Sequence, residues 1–306
     1  MSASDTALRV DRVTRTFAND TGIRDITFEA ANRGITAVIG PNGAGKTVLF
    51  TIIAGLASAD SGHVVAQPGA RTAYCPDVPE FESWLTAREV VENSAAMCGG
   101  TPSRTAPREA LALCGLSKVE NRGVANFSRG MLQRLGLAAA LVLDPDVLIL
   151  DEPNSALDPI GRADIRAVLE EQRQHRCILL SSHLLSEVEQ LADHVVVMNE
   201  GRLISSGTTS QLLTRAADPT WNIRLSTPLT PEGARMSEHM LRARFPETRI
   251  RFPTDAICQA RFSSFEQAHT ELPRLIAALP APLIEVTLEG RDLDAAFARL
   301  IGDPHP

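Results

Sequence analysis

Short apolar runs alternate with longer stretches of helical periodicity over roughly the first 210 residues of the chain. This alternation predicts an α/β fold, in which helices cover a mainly parallel β-sheet. Three of the runs, at residues 35–39, 147–150 and 178–180, are each followed directly by polar or glycine-rich sequence. Because ligands of open α/β sheets bind at the carboxyl ends of strands, we expect a binding site where these three runs end.

A stretch with a helical pattern separates the first of these runs from the second. Thr86 followed by Glu89 fits a helix-capping box, and a helix that opens near Pro107 should stop at Gly115. We therefore expect a helical subdomain at about residues 85–143, inserted in a first domain of residues 1–215.

The pattern changes in the last third of the chain. Strand-like and helix-like segments follow one another there in the order β-α-β-β-α-β, with one more helix at the end. This order is typical of a ferredoxin-like sandwich, so residues 216–306 are predicted to form a small C-terminal α+β domain. The predicted segments are residues 221–225, 231–244, 249–252, 257–262, 265–279, 283–288 and 293–301.

Composition narrows the class of protein. The chain has 306 residues, of which 44% are hydrophobic, so it can bury a core. Its longest apolar run, residues 135–143, is much shorter than the roughly 20 residues that cross a bilayer. The first residues show no secretory pattern, so we expect a cytoplasmic protein. A net charge of −7 and an aromatic content of 4% argue against a nucleic-acid partner.

The first apolar run leads into a complete phosphate-binding loop of the form G-x-x-x-x-G-K-[ST]. Backbone N–H groups of such a loop, and the start of the helix that follows it, attract phosphate oxygens. Lys46 would hold the β and γ phosphates, and Thr47 would bind Mg²⁺. The expected nucleotide-binding residues here are Gly40, Pro41, Asn42, Gly43, Ala44, Gly45, Lys46, Thr47 and Val48.

The second apolar run ends in two acids. Asp151 follows four apolar residues, so it should lie at the edge of the sheet beside the phosphate loop and hold Mg²⁺. Glu152 comes next and could orient or deprotonate an attacking water molecule. Lys46 and Glu152 are therefore candidate catalytic residues.

Four segments in order along the chain resemble motifs of one family, the ATP-binding subunits of ATP-binding-cassette (ABC) transporters. Residues 127–134 resemble the family's signature, residues 144–153 its Walker B region, residues 155–159 its D-loop, and residues 181–183 its switch histidine. The resemblance covers most of residues 8–210 and implies a P-loop NTPase fold that binds ATP and Mg²⁺ and hydrolyses ATP. It also implies that His183 is a third catalytic residue, which would hydrogen-bond the γ-phosphate and sense its loss.

The resemblance also implies a head-to-tail homodimer, in which the signature of one subunit covers ATP on the phosphate loop of the other. Ser128 and Gly130 would then face the partner's γ-phosphate. Arg129 between them and Asp158 of the D-loop would also belong to the nucleotide-binding residues. Phe17 matches the aromatic residue that stacks on adenine. Simpler structural roles remain open: Ser128 alone would be a helix cap, Phe17 a core residue and His183 a structural histidine at a strand end.

Two positions depart from the family pattern. Asp77, in Tyr74-Cys75-Pro76-Asp77, stands where the family usually has a glutamine or glutamate that touches Mg²⁺ and the transmembrane partner. Aspartate can bind a metal but is shorter, so a simple turn residue is an equal alternative. Arg129 replaces a glycine that is common in the signature.

The signature variant and the extra C-terminal domain resemble subunits of exporters for drugs, antibiotics or other lipophilic molecules. The resemblance implies that the chain powers a separately encoded transmembrane permease and binds to it at the inner face of the membrane. The alternatives are a cassette of an importer and a soluble regulatory ABC ATPase that is not coupled to transport.

Overall fold

The computed structural model describes residues 6–19, 21–97, 106–216, 219–289 and 293–302. The chain divides into two compact units, Met1–Thr209 and Ser210–Pro306.

The first unit contains two β-sheets and six α-helices in its described part. The strands are β1 (Thr6–Thr16), β2 (Gly22–Ala31), β3 (Gly34–Ile39), β4 (Ser61–Ala66), β5 (Thr72–Cys75), β6 (Val147–Leu150), β7 (Cys177–Ser182), β8 (His194–Asn199) and β9 (Arg202–Thr208). The helices are α1 (Lys46–Ile53), α2 (Ala87–Met97), α3 (Ala106–Leu113), α4 (Arg129–Leu141), α5 (Pro159–Gln172) and α6 (Leu185–Leu191).

The larger sheet has six strands in the order β5-β6-β7-β3-β8-β9. All its pairs are parallel except β8 with β9, which closes the sheet as an antiparallel hairpin. The three predicted runs correspond to β3, β6 and β7, which are adjacent and almost wholly buried. Their carboxyl ends therefore meet at one edge, as the sequence predicts.

The smaller sheet is antiparallel, in the order β2-β1-β4. Alternate residues of β1 and β2, such as Val10 and Ile26, are fully buried. They share one hydrophobic cluster with Leu49 and Phe50 of α1 and with Ile149 of β6. The core thus fixes the start of α1 against both sheets.

The predicted helical insertion contains α2, α3 and α4. Thr86 and Glu89 form the predicted capping box, because the Thr86 N–H donates to Glu89 Oε2 at 2.8 Å and the Glu89 N–H donates to Thr86 Oγ1 at 3.3 Å. Gly115, where α3 is expected to stop, has a positive φ of 73°. Such a left-handed residue is typical of a helix C-terminus.

The second unit follows the predicted β-α-β-β-α-β order. It contains α7 (Thr209–Ala216), which begins at the division, β10 (Thr220–Leu225), α8 (Pro231–Arg244), β11 (Arg249–Thr254), β12 (Ile257–Arg261), α9 (Phe265–Ala277), β13 (Leu283–Leu288) and α10 (Leu293–Gly302). The sheet order is β11-β12-β10-β13 with antiparallel pairs, the arrangement of a ferredoxin-like sandwich. Ile223, Ile250 and Cys258 of the sheet pack with Leu241 of α8 and Leu275 of α9.

Across the described ranges, the structure has no helix that is both long and apolar enough to cross a bilayer.

Substitution of Ile149 tests how much the buried core of the larger sheet contributes to the stability of the chain. Its side chain is fully buried on β6, two residues before Asp151. We expect Ile149→Ala to lower the free energy of unfolding by about 2–5 kcal/mol, because the substitution leaves a cavity. Urea-induced unfolding of the full chain measures this change. Val65→Ala, at a half-exposed position of β4, is the control and should cost less than about 1 kcal/mol. Equal losses in the two variants would contradict this account of the core.

Candidate ATP-binding site

The phosphate loop joins the end of β3 to the start of α1. Gly43 and Gly45 have positive φ angles of 84° and 95°, a conformation that favours glycine. A Cβ atom on Gly45 would also lie 2.4 Å from Ile23 Cγ2, and one on Gly40 would lie 2.4 Å from the Met198 carbonyl oxygen. Packing therefore requires glycine at Gly40 and Gly45, whereas the backbone conformation favours it at Gly43. The loop brings backbone N–H groups to the N-terminus of α1.

Lys46 is buried within this loop. Its side chain is the first of α1, and its Nζ atom donates to the carbonyl oxygens of Gly40 at 2.8 Å and Pro41 at 3.4 Å. The same atom lies 3.7 Å from Glu152 Oε1. The ammonium group is thus held where the loop and the acidic end of β6 meet, within reach of a phosphate bound on the loop.

Asp151 is 2% exposed, and its carboxylate accepts hydrogen bonds on both oxygens. Thr47 Oγ1 donates to its Oδ2 atom at 2.7 Å, and Ser181 Oγ donates to its Oδ1 atom at 2.6 Å. The Tyr74 hydroxyl lies 3.4 Å from Oδ2. Burial, and then the charge of Asp151, raise the pKa of Tyr74, so its phenol stays a protonated donor.

Glu152 stands on a sharp turn directly after β6, with a φ of 48°. Its backbone N–H donates to Ser181 Oγ at 2.8 Å. Its Oε2 atom accepts from the His183 backbone N–H at 3.3 Å and lies 2.7 Å from His183 Nδ1. A non-glycine residue in this conformation is strained, and such residues cluster at functional sites. The turn holds the Glu152 carboxylate between Lys46 and His183.

The donor set suits magnesium that is shared with a nucleotide. Thr47 and Asp151 offer a hydroxyl and a carboxylate oxygen that already lie within hydrogen-bonding distance of each other. Mg²⁺ prefers such oxygen ligands and usually takes only one or two carboxylates, the rest coming from phosphates and water. The described residues contain no cluster of three or more His, Cys, Asp or Glu side chains that could hold a metal alone.

Asp77 lines a cavity together with Lys46 and Asp151, but its carboxylate has another partner. Ser155 Oγ donates to Asp77 Oδ1 at 2.5 Å. This bond connects the loop after β5 to the turn after β6. The metal contact predicted for Asp77 remains a hypothesis.

One cavity of about 350 Å³ brings most of the predicted nucleotide residues together. Phe17 is at its rim, and its side chain is 47% exposed rather than part of the core. The cavity is lined by Phe17, Thr21, Gly22, Asn42, Gly43, Ala44, Gly45, Lys46, Thr47, Val48, Asp77, Asp151 and Glu152.

The predicted signature and D-loop residues do not line this cavity in the single chain. Ser128 caps α4 by accepting from the Met131 N–H at 3.2 Å, and Arg129 and Gly130 form the first turn of that helix. Asp158 caps α5 by accepting from the Gly161 N–H at 2.7 Å. The side chains of Ser128 and Asp158 therefore have local structural partners as helix caps.

Ser181 and Tyr74 belong to the site but are not predicted from the sequence, where they only adjoin other motifs. Ser181 is fully buried and links the two acids, since it donates to Asp151 and accepts from Glu152. A serine at the end of an otherwise apolar buried strand can indicate a site residue in the sequence, because a buried hydroxyl needs a hydrogen-bond partner. Tyr74 gives no such signal in the sequence.

Comparison with known proteins agrees with this geometry. The family model for ABC transporters matches residues 23–155. The bacitracin transport ATP-binding protein BcrA of Enterococcus faecalis is 30% identical over 314 residues, covering 99% of this chain and 98% of that protein. The lantibiotic transport ATP-binding protein SrtF of Streptococcus pyogenes is 33% identical over 205 residues, covering 64% and 89%. A solved ATP-binding subunit of an ABC transporter superposes with a TM-score of 0.63 at 28% identity, covering 69% of this chain and 93% of that structure.

Ser181→Ala tests the link between the two acids. The substitution leaves Asp151 Oδ1 and the Glu152 N–H without this partner, so we expect a loss of about 1–3 kcal/mol in the free energy of unfolding. We also expect a clear fall in ATP hydrolysis, because both acids lose their alignment. Ser182→Ala is the matched control, because the Ser182 hydroxyl is the next one along the chain and accepts a hydrogen bond from the Leu184 N–H at 3.0 Å instead. An unchanged hydrolysis rate in Ser181→Ala would show that this link is not needed.

Proposed function

We propose that this chain drives a separately encoded permease that exports an antibiotic or another lipophilic molecule. The chain belongs to the ABC transporter family and is one of its ATP-hydrolysing subunits. The likeness to the bacitracin transport protein supports this proposal, because it extends over 99% of the chain and thus includes the C-terminal unit. The likeness to a lantibiotic transport protein also favours export over the importer and regulatory alternatives.

The phosphates of ATP would be held by the loop of residues 40–47. Backbone N–H groups and the Lys46 ammonium would neutralise the β and γ phosphates. Thr47 and Asp151 would hold Mg²⁺, which supplies charge neutralisation between those phosphates. Phe17 would stack on the adenine, because its exposed ring stands at the rim of the same cavity.

Glu152 would orient the water molecule that attacks the γ-phosphate and accept its proton. The observation that carries this role is the position of its carboxylate, with Oε1 at 3.7 Å from Lys46 Nζ and Oε2 at 2.7 Å from His183 Nδ1. Lys46 marks the γ-phosphate end of the cavity, so the acid stands beside the reacting group. His183 would fix the orientation of the Glu152 carboxylate and contact the γ-phosphate.

A second copy of the chain would complete the site. Ser128 and Arg129 are exposed at the N-terminus of α4, a 13-residue helix whose first N–H groups favour an anion. Since they do not line the cavity of their own chain, they would cover the γ-phosphate of the partner in a head-to-tail homodimer. Gly130 and Asp158 would lie at the same interface.

Glu152→Gln separates ATP binding from hydrolysis. The amide keeps the size of the side chain but cannot accept a proton, so turnover should fall on the order of 10²- to 10⁴-fold. Binding of Mg·ATP should remain, and the variant should form an ATP-dependent dimer. Steady-state phosphate release and size-exclusion chromatography with ATP measure these effects.

Lys46→Ala is the complementary variant, since it should lose both binding and turnover. Wild-type protein that neither binds nor hydrolyses ATP would overturn the assigned activity. A Glu152→Gln variant with normal turnover would overturn the role of that acid alone.

The permease would bind at the loop that follows Asp77. Two exposed apolar residues of this loop, Val78 and Trp84, are 54% and 74% exposed. Phe81 lies between them and lines two neighbouring cavities of about 540 and 390 Å³. Exposed apolar surface of this kind marks interaction sites. Because Ser155 binds Asp77, a movement of this loop would reach the turn that carries Glu152.

Trp84→Ala tests this surface. We expect ATP hydrolysis by the chain alone to stay within about twofold, because the side chain makes little contact with its own protein. Co-purification with the permease, and resistance of cells to the exported compound, should both be lost. Leu56→Ala, at another exposed apolar position outside this loop, is the control and should affect neither. Retained co-purification in Trp84→Ala would place the permease contact elsewhere.

A further inference from the structure

A cation covers one face of the aromatic ring at the rim of the ATP cavity. Phe17 is the first residue after β1, and the guanidinium carbon of Arg15 lies over its ring, 5.5 Å from the centroid. This distance is within the range of cation–π attraction. Phe17 lines the cavity, whereas Arg15 does not. The guanidinium thus contacts the ring without being part of the cavity lining.

Asp60 holds this arrangement in place from a distant part of the chain. It directly precedes β4, and its Oδ1 atom accepts from Arg15 Nη1 at 2.9 Å. Its Oδ2 atom accepts from the Thr16 backbone N–H at 2.8 Å and from Thr16 Oγ1 at 3.2 Å. One carboxylate thus binds both the guanidinium and the backbone of the residue before Phe17.

Two further contacts restrict the same segment. The Asp60 backbone N–H donates to the Thr14 carbonyl oxygen at 2.7 Å, and the Phe17 N–H donates to the Thr21 carbonyl oxygen at 2.9 Å. The hydrogen bond from the Thr16 N–H, assisted by its hydroxyl and by the charge of Arg15, lowers the pKa of Asp60. The carboxylate is therefore ionised at neutral pH, where it pairs with Arg15.

We propose that Arg15 and Asp60 are positioning residues of the adenine subsite, which present Phe17 to the nucleotide with one face covered and the other open. The proposal rests on the proposed function, in which this cavity takes ATP. A fixed ring loses little freedom when a base stacks on it, and a base has only the open face available. Stacking uses the π-face that every base has. The pair of Arg15 and Asp60 therefore strengthens nucleotide binding without discriminating between purines.

Arg15→Gln should raise the KM for ATP about two- to fivefold, the ratio that corresponds to a cation–π contact at an exposed site. The kcat should stay unchanged, because the reacting phosphate is held by other residues. Inhibition by inorganic tripolyphosphate should also stay unchanged, since this ligand fills the phosphate loop but has no base. Arg9→Gln is the matched control, because Arg9 lies on the same strand and pairs with Glu29 instead.

A double-mutant cycle tests whether Arg15 acts through Phe17. In a Phe17→Ala background, Arg15→Gln should cause no further rise in KM, because the ring is gone. Asp60→Asn should behave like Arg15→Gln in the wild-type background, and Arg15→Lys should restore part of the loss.

Three results would overturn the proposal. The first is an unchanged KM in Arg15→Gln, and the second is a KM that rises as much in the Phe17→Ala background as in the wild type. The third is a weakening of tripolyphosphate inhibition by the same factor as the rise of the KM for ATP. The last result would mean that Arg15 supports the phosphate loop instead. Failure of the wild-type chain to hydrolyse ATP would be different, because it would overturn the proposed function itself.

Discussion

The site depends on one buried carboxylate whose charge must be compensated by hydrogen bonds. Asp151 is almost fully removed from solvent, and an ionised group in that position is costly unless it is paired and hydrogen-bonded. Thr47 on α1 and Ser181 on β7 supply the two short bonds. Asp151 thereby ties the helix after the phosphate loop to two neighbouring strands, and a metal shared with a nucleotide would replace part of this network.

The order of the strands makes that network possible. Because β6, β7 and β3 are adjacent and parallel, the residues that follow them emerge at the same edge. The Ser181 hydroxyl then reaches both Asp151 and the backbone of Glu152, which turns through a left-handed conformation. Glu152 is consequently held beside Lys46 and His183, so one buried serine aligns the groups that we propose to bind the metal and to activate water.

The sequence predicts those features that depend on local pattern. Short segments of sequence are enough to predict the phosphate loop, the acids after β6, the capping box at Thr86 and the element order of the C-terminal unit. Contacts between distant segments depend on sheet order and register, which the pattern does not supply. Thr47 and Asp151 are 104 residues apart, and Ser155 and Asp77 are 78 residues apart. For this reason only the structure shows three contacts: Ser155 with Asp77, Tyr74 with Asp151, and Asp60 with Arg15.

The most direct test of the central claim is a calorimetric titration of ATP into the full chain, with and without Mg²⁺, for the wild type and Asp151→Asn. Asparagine keeps the size of the side chain but removes the charge that favours a metal. The account predicts that Mg²⁺ strengthens ATP binding to the wild type and that most of this gain disappears in Asp151→Asn, while metal-free binding persists. An equal gain from Mg²⁺ in both proteins would contradict it.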